Sequence, residues 1–225
     1  MRKRTFTSHK AAGLALSIGA LLAAAPAAEA STTLLGITPK GELGDGFDNP
    51  QVMPVISPGV ALDGNSFAVD FNPVPDAIRI LSNTDQNLRV SPSTGDLVAE
   101  DGDINGAPAQ IVDGAYTNSK QSVVVPATAV LYVLDAKDDK IYTQNPPNDG
   151  TLTNPVDLNL DLQKKSGFDL VGAGNKGFIV NTNGDTTKLF KVKRESQLGL
   201  DGDTKRLGKV GAKLTSLAVD QPKAN

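Results

Sequence analysis

Short runs in which apolar and polar residues alternate recur along most of the chain, and they predict β-strands. The clearest run spans residues 156–163, where valine or leucine alternates with aspartate, asparagine or glutamine. A period of two is expected for a strand with one buried face. Turn-forming pairs such as Asp63-Gly64 and Asn183-Gly184 separate many of the runs. After residue 30 no stretch keeps the apolar spacing of an amphipathic helix, so we expect an all-β fold.

A longer repeat groups the predicted strands in fours. Apolar strands end near Asp70, Asp169 and Asp220, and the strand at 112–116 takes the same place, with Ala115 where the aspartate would be. These four positions are 45, 54 and 51 residues apart. Further strands are predicted after Asp70 at 78–82, 87–92 and 96–100, and after Asp169 at 177–181, 188–194 and 205–210. Repeats of about 40–50 residues with four strands each are typical of propeller blades.

The two ends of the chain supply the strands of a fourth blade. Strand-like segments at 34–38, 43–47 and 52–56 come before the first repeat, and a single one at 217–220 ends the last. We therefore predict a β-propeller-like domain of four blades, each of about four antiparallel strands, with the C-terminal strand closing the ring and hiding its edges. A β-sandwich is the alternative, because it also has many short strands and turns. The long repeat favours the propeller.

The first thirty residues have the pattern of a secretory signal peptide. Four basic residues within the first ten positions precede an apolar run at 11–25, and Ala28-Glu29-Ala30 offers a cleavage site. The apolar run is shorter than the roughly twenty residues that span a bilayer as a helix, which makes an uncleaved anchor the weaker alternative. We expect residues 1–30 to be removed and residues 31–225 to form one domain, secreted or periplasmic, with no stable membrane insertion.

The amino-acid composition argues against several kinds of catalytic, metal-binding and nucleic-acid-binding site. The chain has no cysteine and no tryptophan, and its one histidine, His9, lies in the predicted signal peptide. A Ser-His-Asp triad and a thiol nucleophile are therefore excluded after residue 30, and a zinc site is not expected there. The chain carries 22 basic and 25 acidic residues, and loss of the signal peptide makes it more acidic. An acidic chain without a basic cluster argues against a nucleic-acid partner.

Residues 67–95, FAVDFNPVPDAIRILSNTDQNLRVSPSTG, carry a specific resemblance. They are similar to the pattern GFDFNPxxDRIRVVSxxGQNLRxxPxTG of the bacterial secreted family called domain of unknown function 4394. Further matches run to about Leu170 and include Asp101-Gly102-Asp103, QNPPNDGTL at 144–152 and the segment 115–119 with Tyr116 and Asn118. The resemblance implies a propeller-like fold. It implies no activity, because the family has none assigned.

One short segment resembles half of a calcium loop. Asp101, Asp103 and Asn105 place oxygen ligands at alternate positions, followed by Gly106 at the bend. The twelfth position is Val112 rather than glutamate, so the bidentate ligand is missing. An ordinary turn is favoured and calcium is the weaker alternative. No other cofactor is expected.

The candidate ligand-binding residues lie on the predicted inner strands and in the family motif. Asp70, Asp169 and Asp220 would meet near the centre of a ring, where they would either share a cation or accept backbone hydrogen bonds. Arg79 and Arg89 would either pair with acidic residues between strands or line a pocket for an anionic or sugar-like ligand. The candidate set is Asp70, Asn72, Arg79, Arg89, Tyr116, Asn118 and Asp169.

Two functions fit these observations. The leading hypothesis is a non-enzymatic binding or interaction module with an extracellular glycan or protein partner, because loops on a rigid scaffold present binding surfaces. The alternative is a carboxylate-dependent glycan hydrolase or lyase, which needs two carboxyl groups facing each other roughly 5–10 Å apart.

Overall fold

The computed structural model describes residues 33–35, 61–92, 94–107, 110–119, 125–171, 174–195 and 199–220. The predicted signal peptide and the predicted strands at 43–47 and 52–56 lie outside these residues. Within them, no helix is long and apolar enough to cross a bilayer. A single turn of 3-10 helix covers Pro147–Asp149. The strands are β1 (Thr33–Leu35), β2 (Phe67–Asn72), β3 (Ala77–Ser82), β4 (Asn87–Val90), β5 (Leu97–Glu100), β6 (Ile111–Tyr116), β7 (Leu131–Asp135), β8 (Lys140–Gln144), β9 (Leu152–Asp157), β10 (Ser166–Val171), β11 (Lys176–Asn183), β12 (Thr186–Glu195), β13 (Gly199–Val210) and β14 (Ala218–Asp220).

Twelve of these strands form three antiparallel sheets of four strands each. The orders are β2-β3-β4-β5, β6-β7-β8-β9 and β10-β11-β12-β13, so every sheet is a run of consecutive hairpins. The all-β class and the grouping of strands in fours are confirmed. The last strand, β14, pairs antiparallel with β1, with Thr33 opposite Asp220, which is the pairing of chain ends that the sequence predicted.

The first strands of the three sheets and β14 pack against one another in series. β2 contacts β6, β6 contacts β10, and β10 contacts β14. We call these four strands the inner strands. Every residue of β6 and of β10 is buried, whereas the last strands β5, β9 and β13 expose many of their residues. Each sheet therefore runs from a buried inner strand towards solvent.

The hydrophobic core lies between consecutive sheets. Leu81 of the first sheet shares a cluster with Ile111 of the second, and Leu134 of the second shares one with Phe168 of the third. A further cluster joins the third sheet to residues 214–219, just before and within β14. Burial of these aliphatic and aromatic side chains is the main favourable term in folding of the chain, which has no disulfide to stabilise it.

The alternating run at 156–163 is only partly a strand, contrary to the sequence prediction. β9 ends at Asp157, whose carboxylate accepts the N–H of Asn159, a residue with a φ of 50°. The N–H of Leu158 is bound by the Asp139 carbonyl instead of by a neighbouring strand. The alternation of burial still holds, because Leu158 and Leu162 are buried while the polar residues between them are exposed. The alternating pattern therefore predicted correctly which side chains are buried, but not which residues form strand hydrogen bonds.

Candidate functional site

Each inner strand of a four-stranded sheet carries a buried aspartate that binds the next inner strand. Asp70 of β2 accepts a hydrogen bond from a backbone N–H of β6, Asp113 of β6 from one of β10, and Asp169 of β10 from one of β14. Asp113 and Asp169 also accept the N–H of the residue that follows them in their own strand. One carboxylate therefore connects each inner strand to the next, at chain separations of 46, 55 and 50 residues.

The position of the second aspartate corrects the predicted repeat. Asp113, not the position of Ala115, makes the contact that corresponds to those of Asp70 and Asp169. Of Asp220 the structure describes the backbone pairing with β1, but not the side chain. Among the described residues no group of three acidic, histidine or cysteine side chains is arranged to hold a metal ion. The backbone-binding interpretation of these carboxylates therefore accounts for their contacts without a shared cation.

Burial dominates the protonation of these three carboxyl groups. Loss of solvent raises the pKa of Asp70 and of Asp113 to about 7 each, although backbone hydrogen bonds oppose the shift. Burial and the nearby negative charge of Asp70 raise the pKa of Asp169 well above its ordinary value. All three groups therefore bind a proton more tightly in the folded protein than in the unfolded chain.

The stability of the protein is expected to fall as pH rises from 5 to 8. A carboxyl group with a raised folded pKa contributes stability that is complete below its unfolded pKa of about 4 and is lost as pH rises through its folded pKa, here about 7. No histidine after residue 30 titrates in the same range. We expect the free energy of unfolding in urea, measured on residues 31–225, to drop by at least about 2 kcal/mol. An Asp113→Asn variant should show a shallower dependence, and a flat curve in the unmutated protein would contradict the assignment.

Arg79 lies at the centre of a buried polar network rather than in a pocket. Its side chain is 2% exposed. The guanidinium donates to the Tyr116 hydroxyl at 3.2 Å and to the Asn87, Asp101 and Asn148 side chains at 2.7 Å each. These partners lie on β4, just after β5, on β6 and in the 3-10 turn that follows β8. The arrangement supports the interpretation of Arg79 as a paired cation that joins two sheets.

Asp101 is shared by two arginines and does not fit a calcium loop. Arg89 donates to both of its carboxylate oxygens, at 2.7 and 2.8 Å, while Arg79 donates to one of them. Burial alone would raise the pKa of Asp101, but the hydrogen bonds from the two arginines outweigh it and lower the pKa. The Asn105 amide donates to the Asp103 and Asp149 carbonyls, which makes this segment a hydrogen-bonded turn.

The remaining candidate residues fix connections at the ends of the inner strands. Asn72 accepts the N–H of Val74 and is hydrogen bonded to the hydroxyl of Tyr116. Asn118 forms two hydrogen bonds with Asn175, one through its backbone and one through its side chain. These contacts hold neighbouring sheets together. The predicted ligand-binding set is therefore largely brought together in space, but as internal structure.

A cavity of about 410 Å³ opens at the beginnings of the inner strands. We call it the inner-strand cavity, and each of the four inner strands, or the segment just before it, contributes to its wall. No carboxylate is among the described residues that line it. These residues are Asn65, Ser66, Phe67, Val69, Gln110, Val112, Lys164, Lys165, Thr215 and Ser216.

Ser216 connects the cavity with the buried aspartates. Its hydroxyl donates to Asp113 at 3.0 Å. A side chain at Gly167 would meet the carbonyl carbon of Ser216 at 2.4 Å, so glycine is required for this close approach of the two backbones. The β10 strand thereby holds the segment before β14 against the cavity.

None of the residues predicted as ligand binding lines this cavity. Its wall is assembled from four segments of the chain that share no motif. One signal was present in the sequence: the pair Lys164-Lys165, which stands just before a predicted inner strand in an acidic chain. Cationic side chains at the start of a strand are ordinary surface features, so the pair alone did not indicate a site.

Comparison with known proteins places the chain in a family. Residues 28–218 match the family described as domain of unknown function (DUF4394). The chain belongs to this family. A search of curated proteins finds no match to it.

The structure gives physical roles to the DUF4394 motif. In its first part, Asp70 binds the next inner strand, and Arg79 is the centre of the buried network. In its second part, Asn87 donates to the Gly102 and Pro147 carbonyls, and Arg89 pairs with Asp101. The match extends beyond Leu170, where the resemblance ended, as far as Ala218, the first residue of β14. These residues of the DUF4394 motif therefore have structural roles in this protein.

Proposed function

We propose that this DUF4394 protein is an exported, non-enzymatic binding module that holds a small ligand in the inner-strand cavity. The observation that carries the proposal is the wall of this cavity, which is formed by residues of, or just before, each of the four inner strands and which has no described carboxylate. Sites for small molecules are commonly concave, of about 300–1,000 Å³, and lined by apolar side chains with a few polar groups. Phe67, Val69 and Val112 supply the apolar part.

The overall architecture that we propose is a propeller-like ring. Three features support it: the three four-stranded sheets, the contacts of the inner strands in series, and the pairing of β14 with β1. A sandwich would stack two sheets face to face, whereas here each inner aspartate binds the next inner strand. In a ring, the inner-strand cavity is the mouth of the central channel. Export is proposed on the predicted signal peptide at 1–30.

A carboxylate-dependent hydrolase receives little support from the geometry. Such an enzyme needs two carboxyl groups that face the substrate. Asp70, Asp113 and Asp169 are buried and bound to backbone N–H groups, and none of them lines the cavity.

Filling the cavity should abolish ligand binding. Thr215 lines the cavity and is half-buried, so Thr215→Trp places a large ring in the binding space. We expect metabolites and small glycans that raise the Tm of residues 31–225 to lose at least about tenfold in affinity for this variant, about 1.4 kcal/mol. The measurement is a thermal-shift screen followed by calorimetry of the compounds found.

The control is Val98→Trp, which adds the same ring at a residue of β5 that is 55% exposed and lies outside the cavity. It should bind like the unmutated protein. If no compound raises the Tm, or if Thr215→Trp binds normally, the cavity is not the binding site. Turnover of glycosides or esters that a single carboxylate substitution abolishes would show an enzyme instead.

A further inference from the structure

Two lysines lie at the inner-strand cavity. Lys164 and Lys165 both line it, and both are exposed. Among the described residues neither forms an ion pair, although the chain as a whole carries a net charge of −3. The described wall of the cavity therefore carries positive charge, although the protein as a whole is acidic. An anion that enters the cavity meets no described carboxylate in the wall.

The backbone around the two lysines is fixed. The N–H of Gln163, just before them, is bound by the Ser166 hydroxyl and the Asn181 side chain, at 3.2 and 3.1 Å. The carbonyl of Lys165 accepts the N–H of Thr182 at 3.0 Å. Both ammonium groups consequently extend from an ordered segment, which reduces the entropy lost when they bind a ligand.

The other polar groups in the wall determine which hydrogen-bonding groups a ligand needs. When Asp113 is ionised, the one hydroxyl proton of Ser216 is donated to it at 3.0 Å, so towards the cavity the Ser216 oxygen serves as an acceptor. A ligand group beside Ser216 must therefore donate a hydrogen bond. The Gln110 side chain, also in the wall, adds an amide that both donates and accepts.

We infer that the inner-strand cavity binds a hydroxylated organic anion, with its carboxylate or phosphate against Lys164 and Lys165 and a hydroxyl donating to Ser216. Sugar acids and sugar phosphates have this chemistry. The apolar residues Phe67, Val69 and Val112 face the carbon skeleton. This inference rests on the proposed function and narrows it to one class of ligand.

The test compares two sugars that differ mainly in charge. D-glucuronate and D-glucose share a hydroxylated ring, but only glucuronate carries a carboxylate. We expect calorimetry of residues 31–225 at low ionic strength to show glucuronate bound at least about tenfold more tightly than glucose, because exposed charges are little screened under these conditions. The double variant Lys164→Gln with Lys165→Gln should weaken glucuronate binding at least about tenfold and so remove this difference.

The control is the double variant Lys205→Gln with Lys209→Gln, which removes the same charge from exposed positions of β13 outside the cavity. It should keep at least half of the affinity for glucuronate. The inference is overturned if the two sugars bind equally, if neither binds, if the control loses as much as the cavity variant, or if inorganic phosphate binds as tightly as glucuronate. Equal binding of both sugars that Thr215→Trp abolishes would leave the proposed function intact. If no compound in the thermal-shift screen raises the Tm, both the proposed function and this inference are wrong.

Discussion

Arg79→Met will lower the free energy of unfolding by about 3 kcal/mol or more, the largest effect expected of any single substitution proposed for this protein. The guanidinium is buried and donates to four side chains, two on strands β4 and β6 and two in the segments that follow β5 and β8. Methionine fills much of the volume but donates nothing. The buried side-chain oxygen of Asn87 would then lose this donor, and such groups are expensive to leave unpaired. Urea unfolding of residues 31–225 measures the loss.

Arg89→Met is the matched control for this substitution. Arg89 binds the same carboxylate, Asp101, but its side chain is 24% exposed. Asp101 keeps its bond to Arg79 in this variant, so we expect a loss of no more than about 1 kcal/mol, the upper end of the range for an exposed ion pair. A loss as large as that of Arg79→Met would mean that the acidic partner, not the network around Arg79, determines the effect. A loss below about 1 kcal/mol for Arg79→Met would contradict the structural role assigned to it.

The strands could be predicted from the sequence because the signals that define them are local. A period of two shows which side chains are buried, and Asp-Gly and Asn-Gly pairs mark the turns. The predicted strands at 78–82 and 177–181 lie within β3 and β11 as observed. Hydrogen bonding is less local, which is why the run at 156–163 kept its burial pattern but left the sheet at Asp157.

The repeat was harder to align, because the contact that defines it joins residues far apart. Asp113 corresponds to Asp70 by the strand that it binds, not by its place within its own strand. The pair valine-aspartate, at Val69-Asp70, Val112-Asp113 and Val219-Asp220, was a usable signal. Alignment of the apolar strands alone placed Ala115 in the position of the aspartate, two residues away from Asp113.

The site depended still more on contacts that the sequence does not show. Arg79 is a residue type that often binds anions, but whether an arginine binds a ligand or an internal carboxylate depends on where Asp101 and Asn148 lie. Lys164 and Ser216 meet at one cavity through the packing of inner strands about fifty residues apart. Residue types therefore indicated which side chains could bind an anion, but only the packing of the fold shows which of them face a cavity.

The C-terminal segment is bound to the rest of the domain through its backbone and its side chains. Leu214, Leu217 and Val219 are buried in one cluster with residues of the third sheet. The Leu214 carbonyl accepts a hydrogen bond from the Thr182 hydroxyl, and Asp169 accepts the N–H of Val219. β14 also pairs with β1, the first strand of the described part of the chain. This segment therefore connects both ends of the chain to the core.

Deleting residues 213–225 should consequently abolish cooperative folding of the whole domain rather than loosen its end. Three large apolar side chains leave the core, each contributing roughly 1.5–3 kcal/mol, and Asp169 keeps a buried carboxylate without its partner in β14. The deletion also exposes unpaired strand edges, which promote aggregation. Thermal unfolding by circular dichroism compares this variant with residues 31–225. A control that lacks only residues 221–225 keeps β14 and should melt within about 3 °C of the full domain, well below the shift expected from several kcal/mol. If the longer deletion also melts within about 3 °C, β14 does not hold the domain together, and the ring that we propose is wrong.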